Sequence, residues 1–129
     1  METGKLKGKK ILIVDDDQDI CDTCKLILAK ESADVVYALT AKEGLALARS
    51  QHPDLVILDV MMEEADSGFT LANELFKEFK GLPIVMISAI AKASTQVFDT
   101  TQLPVSELIE KPIHREELIR VVDRLLNRK

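Results

Sequence analysis

Several things are missing from this sequence, and each absence removes a class of protein. No apolar run approaches the 18 or so residues that a membrane-spanning helix requires. The first ten residues, Met1 to Lys10, are polar and basic and have no apolar stretch, so they do not form a secretory signal. Only two cysteines occur, Cys21 and Cys24, too few for a disulfide framework. No basic cluster exceeds Lys9-Lys10, and the 17 basic residues are outnumbered by 22 acidic ones for a net charge of −5. A nucleic-acid surface needs a basic face, so nucleic acid is not the expected partner. Internal repeats and low-complexity stretches are absent as well.

What remains fits one soluble domain. At 129 residues the chain can bury a substantial core, and 47% hydrophobic with 30% charged residues is ordinary globular composition. Residues 1–8, with Gly4 and Gly8, are expected to be a flexible arm, and residues 9–129 the folded domain. A cytoplasmic location is the default expectation.

Four short apolar runs stand out: Ile11 to Val14, Val35-Val36, Leu55 to Leu58 and Ile84 to Ile87, with a weaker one at Leu108-Ile109. Continuous runs rich in β-branched residues indicate strands covered on both faces, as in a parallel sheet. Between them lie helical stripes: Ile20, Cys24, Ile27 and Leu28; then Phe69, Ala72, Leu75, Phe76 and Phe79; finally Leu118, Val122, Leu125 and Leu126. Thr40-Ala41-Lys42-Glu43 has the form of a capping box, opening a helix that ends near Ser50. Strands alternating with helices mean a three-layer α/β domain with right-handed crossovers. The stretch Ala91 to Ser106 breaks the rhythm. It carries three threonines and Pro104 without an amphipathic stripe, so any helix there should be short or irregular.

Ligands of open α/β sheets bind outside the carboxyl ends of the strands. Polar residues stand at those ends here: Asp15-Asp16-Asp17 after the first strand, Asp59 after the third, Ser88 after the fourth and Lys111-Pro112 after the fifth. One such residue usually caps the next helix, which accounts for Asp17. Acid, acid, hydroxyl and ammonium at four strand ends is a different matter.

With these pieces in order, "ILIVDDDQDI", "DLVILDVMM", "IVMISA" and "EKPIHREEL", the chain resembles the receiver domains of two-component response regulators along nearly its whole length. The resemblance implies a flavodoxin-like sandwich, a five-stranded parallel sheet of order 2-1-3-4-5 flanked by helices, the fourth of them short or irregular here. It implies that Asp59 accepts a phosphoryl group from a sensor histidine kinase or a histidine phosphotransfer protein. Asp15 and Asp16 would be the acidic pair, Ser88 the hydroxyl switch position and Lys111 the motif lysine, on a cis Lys111-Pro112 bond. Magnesium would be held by Asp16, Asp59 and the carbonyl of Met61, with Asp15 acting through a water. The output would be altered binding of a downstream protein, with no direct contact to nucleic acid or membrane. The likeness fits a stand-alone regulator and a receiver within a longer protein equally.

The chemistry agrees with those roles. A carboxylate can attack phosphorus and form an acyl phosphate. Three carboxylates in one crevice repel each other, and a hard dication relieves that repulsion while binding phosphate oxygens.

The sequence departs from the family at three places. The loop after Asp59 has Glu63 in place of a proline, Glu64, and one extra residue; Leu108 stands where an aromatic switch residue is expected; and Ala91 to Ser106 is poorly helical. A haloacid-dehalogenase-type phosphatase also uses an aspartate after a strand, but needs a second aspartate where Met61 stands, and a cap domain. A pseudo-receiver that signals by contacts alone would not need the intact polar set. Cys21-Asp-Thr-Cys24 has redox spacing, but nearby acids disfavour a thiolate, and core packing is the expected role. His52 and His114 are isolated, with His114 placed at the start of the last helix.

Overall fold

The computed structural model describes residues 4–59, 67–88 and 105–127, the side chains of 67–69 excepted. Met61, the loop acids Glu63 and Glu64, and 91–104 of the weakly helical stretch lie outside the described residues.

The described residues form nine elements: β1 (Lys10–Val14), α1 (Gln18–Ala29), β2 (Asp34–Ala38), α2 (Ala41–Gln51), β3 (Leu55–Asp59), α3 (Ser67–Glu78), β4 (Ile84–Ser88), β5 (Glu107–Glu110) and α4 (Arg115–Asn127). The strands form one parallel sheet of order β2-β1-β3-β4-β5. This is the three-layer arrangement expected, with β3 at the centre.

Residue alternation shows why the strand sequences are continuously apolar. Ile11, Ile13, Leu55, Ile57, Val85 and Ile87 point to one face, where Cys21, Cys24 and Leu28 of α1 meet Leu118, Val121 and Val122 of α4. Leu12, Val14, Val56, Leu58, Ile84 and Met86 point to the other, against Ala48 of α2 and Leu71, Ala72 and Leu75 of α3. With both faces covered, no position on β3 or β4 can be polar until the strand ends.

Local signals set the helix ends. Asp17 caps α1, accepting from the Asp19 N–H at 2.9 Å. Thr40 caps α2, accepting from the Glu43 N–H at 3.1 Å, while Glu43 accepts from the Leu39 N–H at 3.3 Å. The α2 C-terminus closes on His52 in the left-handed region, at φ 50°. His114 immediately precedes α4 and its carbonyl accepts from the Leu118 N–H.

Two details differ from the sequence reading. Phe76 is 56% exposed, because Leu71, Ala72 and Leu75 already fill the buried side of α3 and leave Phe76 on its flank. From Gly4 onward the N-terminal segment is packed down rather than free. Leu6 is fully buried, its N–H donates to the Glu31 carbonyl at 2.9 Å, and the Asn127 side chain at the end of α4 donates to the Lys5 carbonyl at 3.0 Å. Among the described residues no helix is long and apolar enough to cross a membrane.

Candidate functional site

The carboxyl ends of β1, β3, β4 and β5 converge on one crevice. β1 runs into it because Val14 pairs with Leu58 of β3 and Ala38 of β2. The strand pairing continues one residue further, since the Asp15 N–H donates to the Ala38 carbonyl at 3.1 Å. Asp59 is the last residue of β3, opposite Ile87 of β4. Ser88 ends β4, and its carbonyl accepts from the Lys111 N–H at 2.7 Å, which ties the start of the Lys111-Pro112 segment to the crevice. The Lys111-Pro112 bond is cis.

Asp15, Asp59 and Ser88 are buried, each under 5% exposed, whereas Asp16 is exposed. One carboxylate oxygen from each of Asp15, Asp16 and Asp59 lies within 4.8 Å of the others. The Lys111 ammonium stands 3.3 Å from Asp59 Oδ2 and 3.7 Å from Asp15 Oδ2. Asp15, Asp16, Asp59 and Lys111, all singled out at strand ends in the sequence, thus meet through their side chains, and Ser88 lines the same end of the sheet.

The electrostatics follow from this crowding. Burial pushes the Asp15 carboxyl up to about 6 and repulsion from Asp59 adds to it, against the Asp17 N–H and Lys111, which favour the charged form. Burial alone would lower Lys111, but Asp15 and then Asp59 outweigh it and raise the ammonium above its ordinary value. Asp15 Oδ1 accepts from the Asp17 N–H at 2.9 Å, while among the described residues the buried Oδ2 has no hydrogen-bond partner. A buried carboxylate oxygen without a hydrogen bond, facing two more carboxylates, is a donor set suited to a hard dication such as magnesium. Asp15, Asp16 and Asp59 are the described residues that fit one.

Two residues at the site were not singled out for it in the sequence. Cys21 is fully buried, and its Sγ–H donates to the Asp15 carbonyl at 3.4 Å. Its position three residues before Cys24 was the available signal, since that spacing puts both thiols on one helix face. Gly44 of α2 lets the helix approach β1: a Cβ there would lie 2.8 Å from Val14 Cγ2 and 3.0 Å from Val14 Cγ1. Nothing in a single sequence marks that contact.

Residues 11–123 match the family model described as the response regulator receiver domain. The chain is 33% identical over 124 residues to the probable transcriptional regulator ycf27 of Cyanophora paradoxa, covering 96% of this chain and 51% of that protein. It is 32% identical over 123 residues to the DNA-binding dual master transcriptional regulator RpaA of a Synechocystis strain, covering 92% and 49%. The chain therefore spans about half the length of the curated relatives it matches. Among solved structures, a CheY-like receiver domain protein from Methanospirillum hungatei superposes with a TM-score of 0.82 at 31% identity, covering 95% of this chain and 94% of that one. The response regulator TrrA of Thermotoga maritima, solved with Mg(2+)-BeF, gives 0.80 at 31% identity, covering 92% and 99%.

Proposed function

Because the chain belongs to the response regulator receiver domain family, and is thus a phosphoacceptor signalling domain of two-component systems, we propose that Asp59 is its phosphoacceptor and that the crevice catalyses the transfer itself. The observation that carries the assignment is the placement of Asp59: it is buried at the end of the central strand, 3.3 Å from the Lys111 ammonium and within 4.8 Å of the Asp15 and Asp16 carboxylate oxygens.

In this reading the donor is a phosphohistidine, on a sensor kinase or a phosphotransfer protein. An Asp59 carboxylate oxygen forms a bond to phosphorus as the phosphorus–nitrogen bond breaks, and the electron pair stays with the departing imidazole. The protein's contribution is positioning and charge neutralisation. Lys111 pairs with one phosphoryl oxygen, and the Ser88 hydroxyl donates to another. Asp15 and Asp16, with Asp59 and the carbonyl of Met61, would hold a magnesium ion, which when bound supplies positive charge to the carboxylates and the phosphoryl oxygens. The same groups position a water for hydrolysis of the acyl phosphate, making the domain a self-resetting switch. It is not assigned a separate enzymatic activity.

We take residues 9–129 as the receiver unit, with residues 4–8 packed onto it. The output is assigned to a protein partner, because the acidic surface of net charge −5 does not favour nucleic acid. A cytoplasmic location, where kinases are charged by ATP, goes with this reading.

Incubation with acetyl phosphate and magnesium should add one phosphoryl group to the wild-type chain by intact mass and none to Asp59→Asn. Full labelling of Asp59→Asn would overturn the assignment.

A further inference from the structure

Asp16 differs from the other acids of the crevice. Asp15 and Asp59 are buried and surrounded by fixed atoms, but Asp16 is exposed, and packing does not hold it. Its carboxylate nonetheless converges with theirs. The direction of an unpacked side chain is set by its backbone, and here the peptide groups on both sides of Asp16 are tied. On the C-terminal side the Asp17 N–H donates to Asp15 Oδ1 at 2.9 Å. On the N-terminal side the Asp15 carbonyl accepts from Cys21 Sγ at 3.4 Å. A peptide group is planar, so fixing the Asp15 carbonyl also fixes the Asp16 N–H and the position of its Cα. With both flanking planes held, Asp16 keeps only its side-chain torsions.

We propose that Cys21 is a positioning residue of the cation site: its thiol, donated to the Asp15 carbonyl, holds the peptide plane that aims the Asp16 carboxylate into the crevice. The proposal rests on reading the acidic cluster as a magnesium site.

The chemistry of the thiol suits the task. A fully buried thiol carries its proton, so Cys21 is a donor to the carbonyl it faces. Sulfur also packs as a small apolar group, so Cys21 joins the core beside Cys24 and Leu28 while its S–H reaches the loop. Cys24 supplies an internal control. It is equally buried on the same helix, and among the described residues it makes no hydrogen bond to the acidic loop. A purely structural role for Cys21 would make the two cysteines equivalent.

The test is a calorimetric magnesium titration of the full chain as wild type, Cys21→Ser, Cys21→Ala and Cys24→Ala, with urea stability measured alongside. Removing the donor should weaken magnesium binding about three- to tenfold in Cys21→Ala, as for loss of one ordinary hydrogen bond, while serine restores affinity to within about twofold. Cys24→Ala should bind as wild type does despite its lost core contact. Wild-type affinity in Cys21→Ala, or equal weakening in Cys24→Ala, overturns the proposal. Should Cys21→Ala fail to fold, Cys21→Thr against Cys21→Val makes the same comparison at matched volume. If the wild type takes up no magnesium, the cation-site reading falls and the proposal with it. The carbonyl carbon resonance of Asp15, shifted in Cys21→Ala but not in Cys24→Ala, then still reports whether the hydrogen bond exists.

Discussion

Asp15→Asn should stabilise the fold in the absence of divalent cations. Asp15 is buried, its Oδ2 has no hydrogen-bond partner among the described residues, and its carboxyl is pushed from 3.8 up to about 6. A folded-state value above the unfolded one means the folded state binds this proton more tightly. The stability contributed by the group is therefore complete below 3.8, is lost as pH rises from there through about 6, and is absent above that. A gap of about two units, at about 1.4 kcal/mol per unit, bounds the loss at roughly 3 kcal/mol. Asparagine keeps an oxygen for the Asp17 N–H but gives up the attraction to Lys111 at 3.7 Å. The net gain at pH 7.5 should be about 1–2 kcal/mol, since a partly buried ion pair recovers some of the cost. Urea unfolding followed by far-UV circular dichroism suits a chain without tryptophan. In EDTA, the advantage of Asp15→Asn over wild type should be small at pH 4.5 and grow through pH 6 to 7.5. Saturating magnesium should reverse the order by stabilising the wild type selectively. A variant less stable than wild type at pH 7.5 in EDTA, or an advantage that does not change with pH, would refute the reasoning.

Two further outcomes follow from packing. Gly44→Ala should destabilise by about 1–2 kcal/mol, because overpacking against the Val14 methyls at 2.8 and 3.0 Å exceeds the helix-propensity gain of up to about 1 kcal/mol. Adding Val14→Ala should make room for the new methyl, so a double-mutant cycle by urea unfolding that shows no favourable coupling would argue against the contact. Leu6→Ala should cost about 2–4 kcal/mol although it lies in a lysine-rich terminus, because Leu6 is fully buried. Thermal unfolding indistinguishable from wild type would mean that the segment is not docked in solution.

Much of the site is legible in the sequence alone. Asp15, Asp59 and Ser88 each follow an apolar run that cannot continue as core, and Lys111 directly follows the fifth strand. In a parallel sheet every strand's carboxyl end lies on the same edge, so the linear pattern implied convergence. The family resemblance supplied the strand order and the roles. What it did not supply was the support beneath the site: the Cys21 thiol on the Asp15 carbonyl, and the bare α-carbon of Gly44 against Val14.

Elements whose signals are local follow from the amino-acid order alone. Strand runs, the Thr40–Glu43 capping box, the Asp17 cap and the residues ending each strand depend on neighbours a few positions away, and short-range sterics and hydrogen bonding decide them. Which atoms meet across elements depends on how the whole chain packs. Leu6 is buried because the end of α1 and the end of α4 come together beneath it, and Phe76 is exposed because the rotation of α3 gave the buried side to Leu71, Ala72 and Leu75. Lys111 bridges Asp59 and Asp15 although 52 residues separate it from Asp59. Such contacts depend on sheet register and on the rotation of each helix about its axis. Those are set by the packing of the whole core, and no local stretch of sequence encodes them.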